Sequence, residues 1–259
     1  MDKTCLFLFH LNTGDNFTMY PALRHFQKIY KDIFIFCLYR NRYTIKQLYL
    51  PYNNIHFYII FDDSHLAPKE LINHYKSKLP NCDLFTTGFY DPNFNGSGRF
   101  WKTFYDQINL PYKIRYDYED INRDKEREVK LYNLIISKYG ENYIFLHDHR
   151  NIKYKHFNER PNVHVNSDLP IFHPNFNYYN DLENDFKDLW NSEFLSDNLL
   201  DYCTLIESAS EIHISDSAFS CLVPYLDLQK VNKKCIYTSY NLDIEDYHIK
   251  YKNWEIIRR

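Results

Sequence analysis

Thr4-Cys5-Leu6-Phe7-Leu8-Phe9-His10, then Leu11-Asn12-Thr13-Gly14-Asp15-Asn16, then Phe17 to Tyr30, is the stretch that decides the reading of this chain. An apolar run of strand length gives way to a tight polar loop, and the loop to apolar residues at helical spacing. Strand, loop and helix in that order open a parallel α/β sheet, where ligands bind at the carboxyl ends of the strands. A Gly-Asp pair in the loop is therefore placed for chemistry. Gly14 takes backbone angles that other residues resist, and Asp15 either caps the helix or faces a substrate.

The pattern repeats outward. Asp32 to Tyr39 and Ile55 to Phe61 are further apolar runs, Tyr43 to Tyr49 and Pro68 to Lys78 are helical, and Asp83 to Gly88 is a fourth strand. Runs that are continuously apolar belong to sheets covered on both faces. Asp91 to Arg99 is rich in Gly, Ser and Asn and is expected as a surface loop or lid. Phe100 to Gln107 is a short aromatic helix. Ile121 to Tyr139 carries the charge run Asn122-Arg123-Asp124-Lys125-Glu126-Arg127-Glu128 into an apolar stripe, which reads as a solvated amphipathic helix and not as a site.

After Gly140 the pattern restarts. Asn142 to His147, Asn162 to Val165, Leu169 to Ile171, Glu211 to Ser215 and Lys234 to Thr238 read as strands, with helices over Leu199 to Ser208 and Ser217 to Leu226, and further helix expected near the C-terminus. The expected class is α/β: two Rossmann-like lobes with mostly parallel sheets, residues 1–140 and 141–259, facing a cleft.

The chain has 259 residues, with Lys+Arg 31 against Asp+Glu 34, so its net charge gives no electrostatic case for nucleic acid or an anionic membrane. No window approaches the roughly 18 apolar residues of a membrane span, and Cys5 to Phe9 is too short for the core of a signal peptide. The 6 cysteines contain no CxxC pair and lie mostly in apolar runs, as reduced core residues of a cytoplasmic protein would. Tyr 25 and Phe 20 against Gly 5 is an unusual balance. It is permissive for a carbohydrate site without pointing to one.

Three junctions gather chemistry. Ile212-His213-Ile214-Ser215-Asp216-Ser217-Ala218-Phe219-Ser220 runs from a strand into a helix start with small and hydroxyl-bearing residues, suited either to capping or to a diphosphate. His147-Asp148-His149-Arg150, with Lys153 and Lys155 beyond, can neutralise phosphates at a strand end. Successive strand residues point to opposite faces, which turns Asp148 away from the two His that flank it, and no further His/Cys cluster has ligand spacing, so no metal is expected. His173 follows another strand and is placed for a nucleotide base or a loop role. Glu207 suits ribose hydroxyls, since a carboxylate accepts from two at once.

Gly14-Asp15, followed after five residues by Pro21-Ala22-Leu23, resembles the signature that opens the ADP-heptose glycosyltransferases of GT-B fold. That resemblance implies that Asp15 is the general base on an acceptor hydroxyl and that the sugar carbon inverts. Asp216-Ser217-Ala218 with Cys221-Leu222 is similar to the segment that binds the donor diphosphate in heptosyltransferase-like proteins. Cys221 stands where that family has His. Asp201 to His213, with Ser217, Phe219 and Trp254-Glu255-Ile256-Ile257, resembles short GT-B-like proteins of large DNA viruses and aquatic bacteria.

The resemblance implies a glycosyltransferase that takes a nucleotide-sugar as co-substrate, uses no further cofactor, and serves a glycan or glycolipid acceptor. Asp15 is its base and Gly14 and Asn16 its acceptor loop; His147, His149, Arg150, Lys153, Glu207, Asp216, Ser217, Ala218 and Ser220 hold the donor. A polysaccharide pyruvyl transferase, with a basic pocket for phosphoenolpyruvate, and a non-catalytic binding protein, with Asp15 buried as a cap, are the alternatives.

Overall fold

The computed structural model describes residues 3–9, 11–61, 67–79, 81–91, 100–148, 163–175, 192–238 and 253–258. The chain forms two compact units, Met1–Asn122 and Arg123–Arg259.

The first unit holds β1 (Thr4–Leu8), α1 (Thr13–Phe26), β2 (Asp32–Leu38), α2 (Arg42–Tyr49), β3 (Ile55–Ile60), α3 (Ala67–Lys78), β4 (Asp83–Thr86) and α4 (Phe100–Gln107). Its four strands lie in the order β3-β2-β1-β4, all parallel, with Cys5 in register with Ile33 on one side and Asp83 on the other. Each β1 residue from Cys5 to Leu8 is fully buried, as a central strand covered on both faces requires. The aromatic excess goes into this core: Phe7, Phe26 and Phe85 meet with ring centroids 4.7 to 5.6 Å apart. Burial of a ring such as Phe7 is worth about 1.5–3 kcal/mol, and the half-buried Phe85 contributes less.

One boundary differs from the sequence reading. Leu11 to Asn16 was expected as a loop, yet α1 begins at Thr13, so Gly14, Asp15 and Asn16 form its first turn. The helix also continues through Pro21. Its residues Asn16 to Leu23 are all buried, and that packing outweighs the missing amide of the proline.

The second unit holds α5 (Lys125–Tyr139), β5 (Ile144–His147), β6 (Ile171–Phe172), α6 (Cys203–Ser208), β7 (Glu211–Ser215), α7 (Ala218–Leu222), β8 (Lys233–Thr238) and β9 (Trp254–Arg258). The order is β6-β5-β7-β8-β9, again all parallel. Phe145 packs against Phe172 and Phe219 at the centre. Val163 to Val165 is not a strand, and near the C-terminus, where loops and further helix are expected, residues 254–258 add the edge strand β9.

The division falls at Asn122/Arg123 and not at Gly140, because α5 packs on α6 and on the 3-10 turn Leu199–Tyr202 that precedes it. Its charge run is not simply a solvated face. Glu128 is fully buried and accepts from Arg123 Nε (2.8 Å), Arg123 Nη2 and Thr204 Oγ1 (2.6 Å). Helix α5 then ends at Gly140, at φ 75° and ψ 176°, a combination open almost only to glycine. Gly140→Ala is expected to cost about 1–3 kcal/mol, read as a lower urea midpoint, even though an added Cβ would meet nothing within 4 Å.

The six cysteines are thiols, four of them buried, and burial pushes the Cys37 and Cys235 thiols up to about 12, where they are inert. Among the described residues no helix is long and apolar enough to cross a membrane.

Candidate functional site

In an open parallel sheet the ligand crevice opens where successive strands are laid down in opposite directions from a common strand. In the first unit the chain proceeds from β1 to β2 to β3 on one side and returns with β4 on the other, so that point is the carboxyl end of β1 and β4. Asp15 belongs to it. Asn12 occupies the N-cap position, without a side-chain cap bond, and Asp15 is a half-buried residue of the first turn. The capping alternative, which needed Asp15 as a buried cap, is not what the helix uses. An acidic group there is favoured by the helix dipole.

Opposite it, Thr87 follows β4 and donates its amide to the Leu8 carbonyl (2.9 Å), and Gly88 turns the chain at φ 59°. The turn delivers Tyr90, whose phenol is pushed up to about 12 by burial and then by the charge of Asp15. Tyr90 was not singled out by sequence, because 75 residues separate it from Asp15 and only the pairing of β1 with β4 joins them. Asn16, expected to face an acceptor, is fully buried and donates from Nδ2 to the Asn12 carbonyl (2.9 Å), so it shapes the turn. Gly14 is half-buried in the same turn.

In the second unit β5 has β6 on one side and β7 on the other, which makes the carboxyl ends of β5 and β7 the crevice. His147 ends β5, and Ser215-Asp216-Ser217 follows β7. The two strand ends meet directly: Ser217 Oγ lies 3.1 Å from His147 Nδ1. Below them His173 is fully buried, its ring 5.6 Å from that of His147 and nearly parallel, and its Nε2 accepts from the Asp148 amide (3.2 Å). Asp148 is buried as well and takes the Val163 amide on Oδ2 (2.9 Å). The sequence places His173 for a nucleotide base or a loop role. A ring with no exposed surface does not touch a nucleotide, and its place is beneath His147, fixing that ring from below.

The helix start at Ser217 is a capping box. Ser217 Oγ accepts from the Phe219 amide, and Ser220 Oγ accepts from the Ser217 amide (3.1 Å) and donates to the Ser217 carbonyl (2.6 Å). Ser220 is thereby buried and satisfied, while Asp216, Ser217 and Ala218 remain half-buried. Helix α7 is 5 residues long and passes into a 3-10 turn, so its dipole adds little. Just before it, buried Ser215 Oγ has no hydrogen-bond partner among the described residues.

Glu207 is held in an ion pair. Arg123 grips both its oxygens, Nη1 to Oε1 at 2.6 Å and Nη2 to Oε2 at 2.8 Å, and the Asp227 amide donates to Oε1 (3.1 Å). The carboxylate expected to meet ribose is the far side of the ion-pair cluster that fixes α5. His149, Arg150, Lys153 and Lys155, and the loop over residues 92–99, lie outside the described residues. Among those described, no three His, Cys, Asp or Glu side chains converge as a metal site would require.

Each unit is thus an open parallel α/β unit with titratable and hydroxyl side chains at its switch point. No family model matches the sequence, and no curated protein matches it. Among solved structures, E. coli heptosyltransferase WaaC with ADP is similar at 11% sequence identity and a TM-score of 0.40, over 98% of this chain and 93% of that chain.

Proposed function

We propose that the protein is a GT-B-like glycosyltransferase, with the acceptor on the first unit and a nucleotide-sugar donor on the second. The observation that carries this reading is the meeting of His147 and Ser217 at the β5/β7 switch point, on residues 70 apart in the chain. Sequence reasoning assigned both to the donor. A hydroxyl, an imidazole held from below and the half-buried Asp216 make a polar floor where a nucleotide belongs.

In the reaction so assigned, Asp15 accepts the proton of the acceptor hydroxyl as its oxygen bonds to the anomeric carbon. The bond from that carbon to the diphosphate oxygen breaks, and the electron pair leaves with the nucleoside diphosphate. His147 hydrogen-bonds to the departing oxygens.

The test is a thermal-shift panel of UDP-, GDP-, ADP- and CMP-sugars, their free nucleotides and phosphoenolpyruvate. A ligand that binds only the folded protein raises its melting temperature. One nucleotide family is expected to stabilise the wild type and to lose its effect in Asp216→Ala and His147→Ala. A response to phosphoenolpyruvate alone, or to nothing, overturns the reading.

A further inference from the structure

The carboxyl edge of the first unit carries a second feature that the proposed reaction does not use. Three of its four strands run out into an exposed aromatic residue: Tyr39 after β2 (45% exposed), Phe61 after β3 (78%) and Phe89 after β4 (51%). Two of them are joined. Tyr39 and Phe61 stack with centroids 4.9 Å apart and ring planes at 27°, and the Arg42 guanidinium lies 3.7 Å from the Tyr39 centroid and 4.1 Å from that of Tyr43. The result is a cation, a phenol and a phenyl ring in series, with Phe61 at the open end.

The stack is held firmly against the Asp15 turn. Tyr39–Asn41 is a 3-10 turn, Arg42 Nη1 donates to the Tyr39 carbonyl (2.7 Å), and Asn41 Nδ2 donates to the Leu11 carbonyl (2.8 Å). Arg40 Nη2 donates to Asn12 Oδ1 (3.2 Å), at the N-cap of the helix that carries Asp15. The bonds from Asn41 and Arg40 tie the turn that carries Tyr39 to the start of the helix that carries Asp15.

Exposing a ring of this size to water is unfavourable, and a run of such rings along one edge marks a surface that is covered in use. The pattern selects the occupant. Among the described residues, the large apolar side chains exposed at this edge are all aromatic, while aliphatic Leu50 lies past the far end of α2. The Arg42 guanidinium lies against Tyr39 and Tyr43, and the Arg40 guanidinium and Asn12 amide lie at the same turn. Protein anchors need a contiguous, fully desolvated pocket, and a lipid surface needs continuous apolar area. Flat rings edged by hydrogen-bonding groups match a pyranose, which has a C–H face and a rim of hydroxyls.

We propose that the Tyr39–Phe61 stack is a carbohydrate-binding subsite that holds a sugar ring of the acceptor, a few residues along the same edge from Asp15. It rests on the glycosyltransferase reading and adds the chemical class of the acceptor's binding determinant. The sugar ring lies on the open face of Phe61, while Arg42, at the far end of the series, braces the stack through Tyr39.

The experiment is an array of immobilised neutral, amino-sugar and uronic-acid oligosaccharides probed with the full chain as wild type, Phe61→Ala and Phe61→Trp, beside the donor panel. Phe61 is exposed, so neither substitution disturbs the core. The wild type is expected to bind at least one oligosaccharide class, Phe61→Ala to bind it about tenfold less, as loss of one stacking contact would give, and Phe61→Trp to retain it. The nucleotide-sugar thermal shift is expected to be the same in all three. No carbohydrate bound by the wild type, equal binding by Phe61→Ala, or loss of the nucleotide response in that variant overturns the subsite. Carbohydrate binding without any donor response supports the subsite and overturns the transferase reading.

Discussion

Replacing Arg123 by Ala is expected to lower the stability of the second unit by about 3–5 kcal/mol, because it leaves the fully buried Glu128 without its main counter-charge. Arg123 is the first residue of that unit and bonds two carboxylates at once, Glu128 on α5 and Glu207 on α6. Lys125 stands 3.3 Å from Glu128 but is largely exposed and does not replace it. Urea denaturation of Arg123→Ala and of Arg123→Met with Glu128→Gln and Glu207→Gln separates the cost of an orphaned charge from that of lost packing: the triple variant is expected to recover much of the loss. A single Arg123→Ala variant as stable as the wild type would contradict the account.

The same cluster sets an acid limit. Burial pushes the Glu128 carboxyl up, but the hydrogen bonds from Arg123 and Thr204 and the charges of Arg123 and Lys125 pull it further down, so the net shift is below the ordinary range. The unfolded chain, with a carboxyl near about 4.3, then takes up a proton before the folded one does. Stability from this group is complete above that pH and is lost as the pH falls through the lower, folded value. Glu128→Gln should flatten that part of the pH profile.

Asp15→Asn is expected to reduce sugar transfer by about a hundred- to ten-thousand-fold, the usual reach of a positioned general base, once the panel has named a donor. The donor-induced thermal shift and the oligosaccharide binding should survive, since Asn keeps the shape of the first turn of α1 and changes only the proton acceptor. Single-turnover transfer measured at saturating donor separates the two. Undiminished transfer would remove Asp15 from the reaction.

Much of this architecture is legible in the order of apolar runs. The continuous run of β1 marks a strand buried on both faces, that of β3 proves to be an edge strand buried only at Ile55 and Ile60, and Glu211–Ser215 has the bounds read from sequence. What escaped did so for physical reasons. The start of α1 at Thr13 is set by tertiary burial of Asn16 to Leu23, where local propensity favours a loop. Strand β9 alternates buried Trp254 with exposed Glu255, too short a pattern to read as a strand alone, and only β8 beside it fixes the assignment. Arg123 and Glu128 look like surface charge until α6 supplies Glu207 and Thr204. Of the site, the strand ends were readable and the contacts across them were not: the His147–Ser217 bond and the approach of Tyr90 to Asp15 follow from strand order, which one sequence does not print.

Strand order also dictates a timetable for a chain emerging from the ribosome. The sheet of the first unit has all of its strands by Thr86, so it can close while the second unit is still unmade. Arg123 is then synthesised 84 residues before Glu207, its second carboxylate. At ~5–20 residues per second that interval is roughly 4–17 s, during which the guanidinium has only the Glu128 side of its clamp. The ion-pair cluster is thus a late lock: it can be complete only once Glu207 has been made, just before the chain reaches β7.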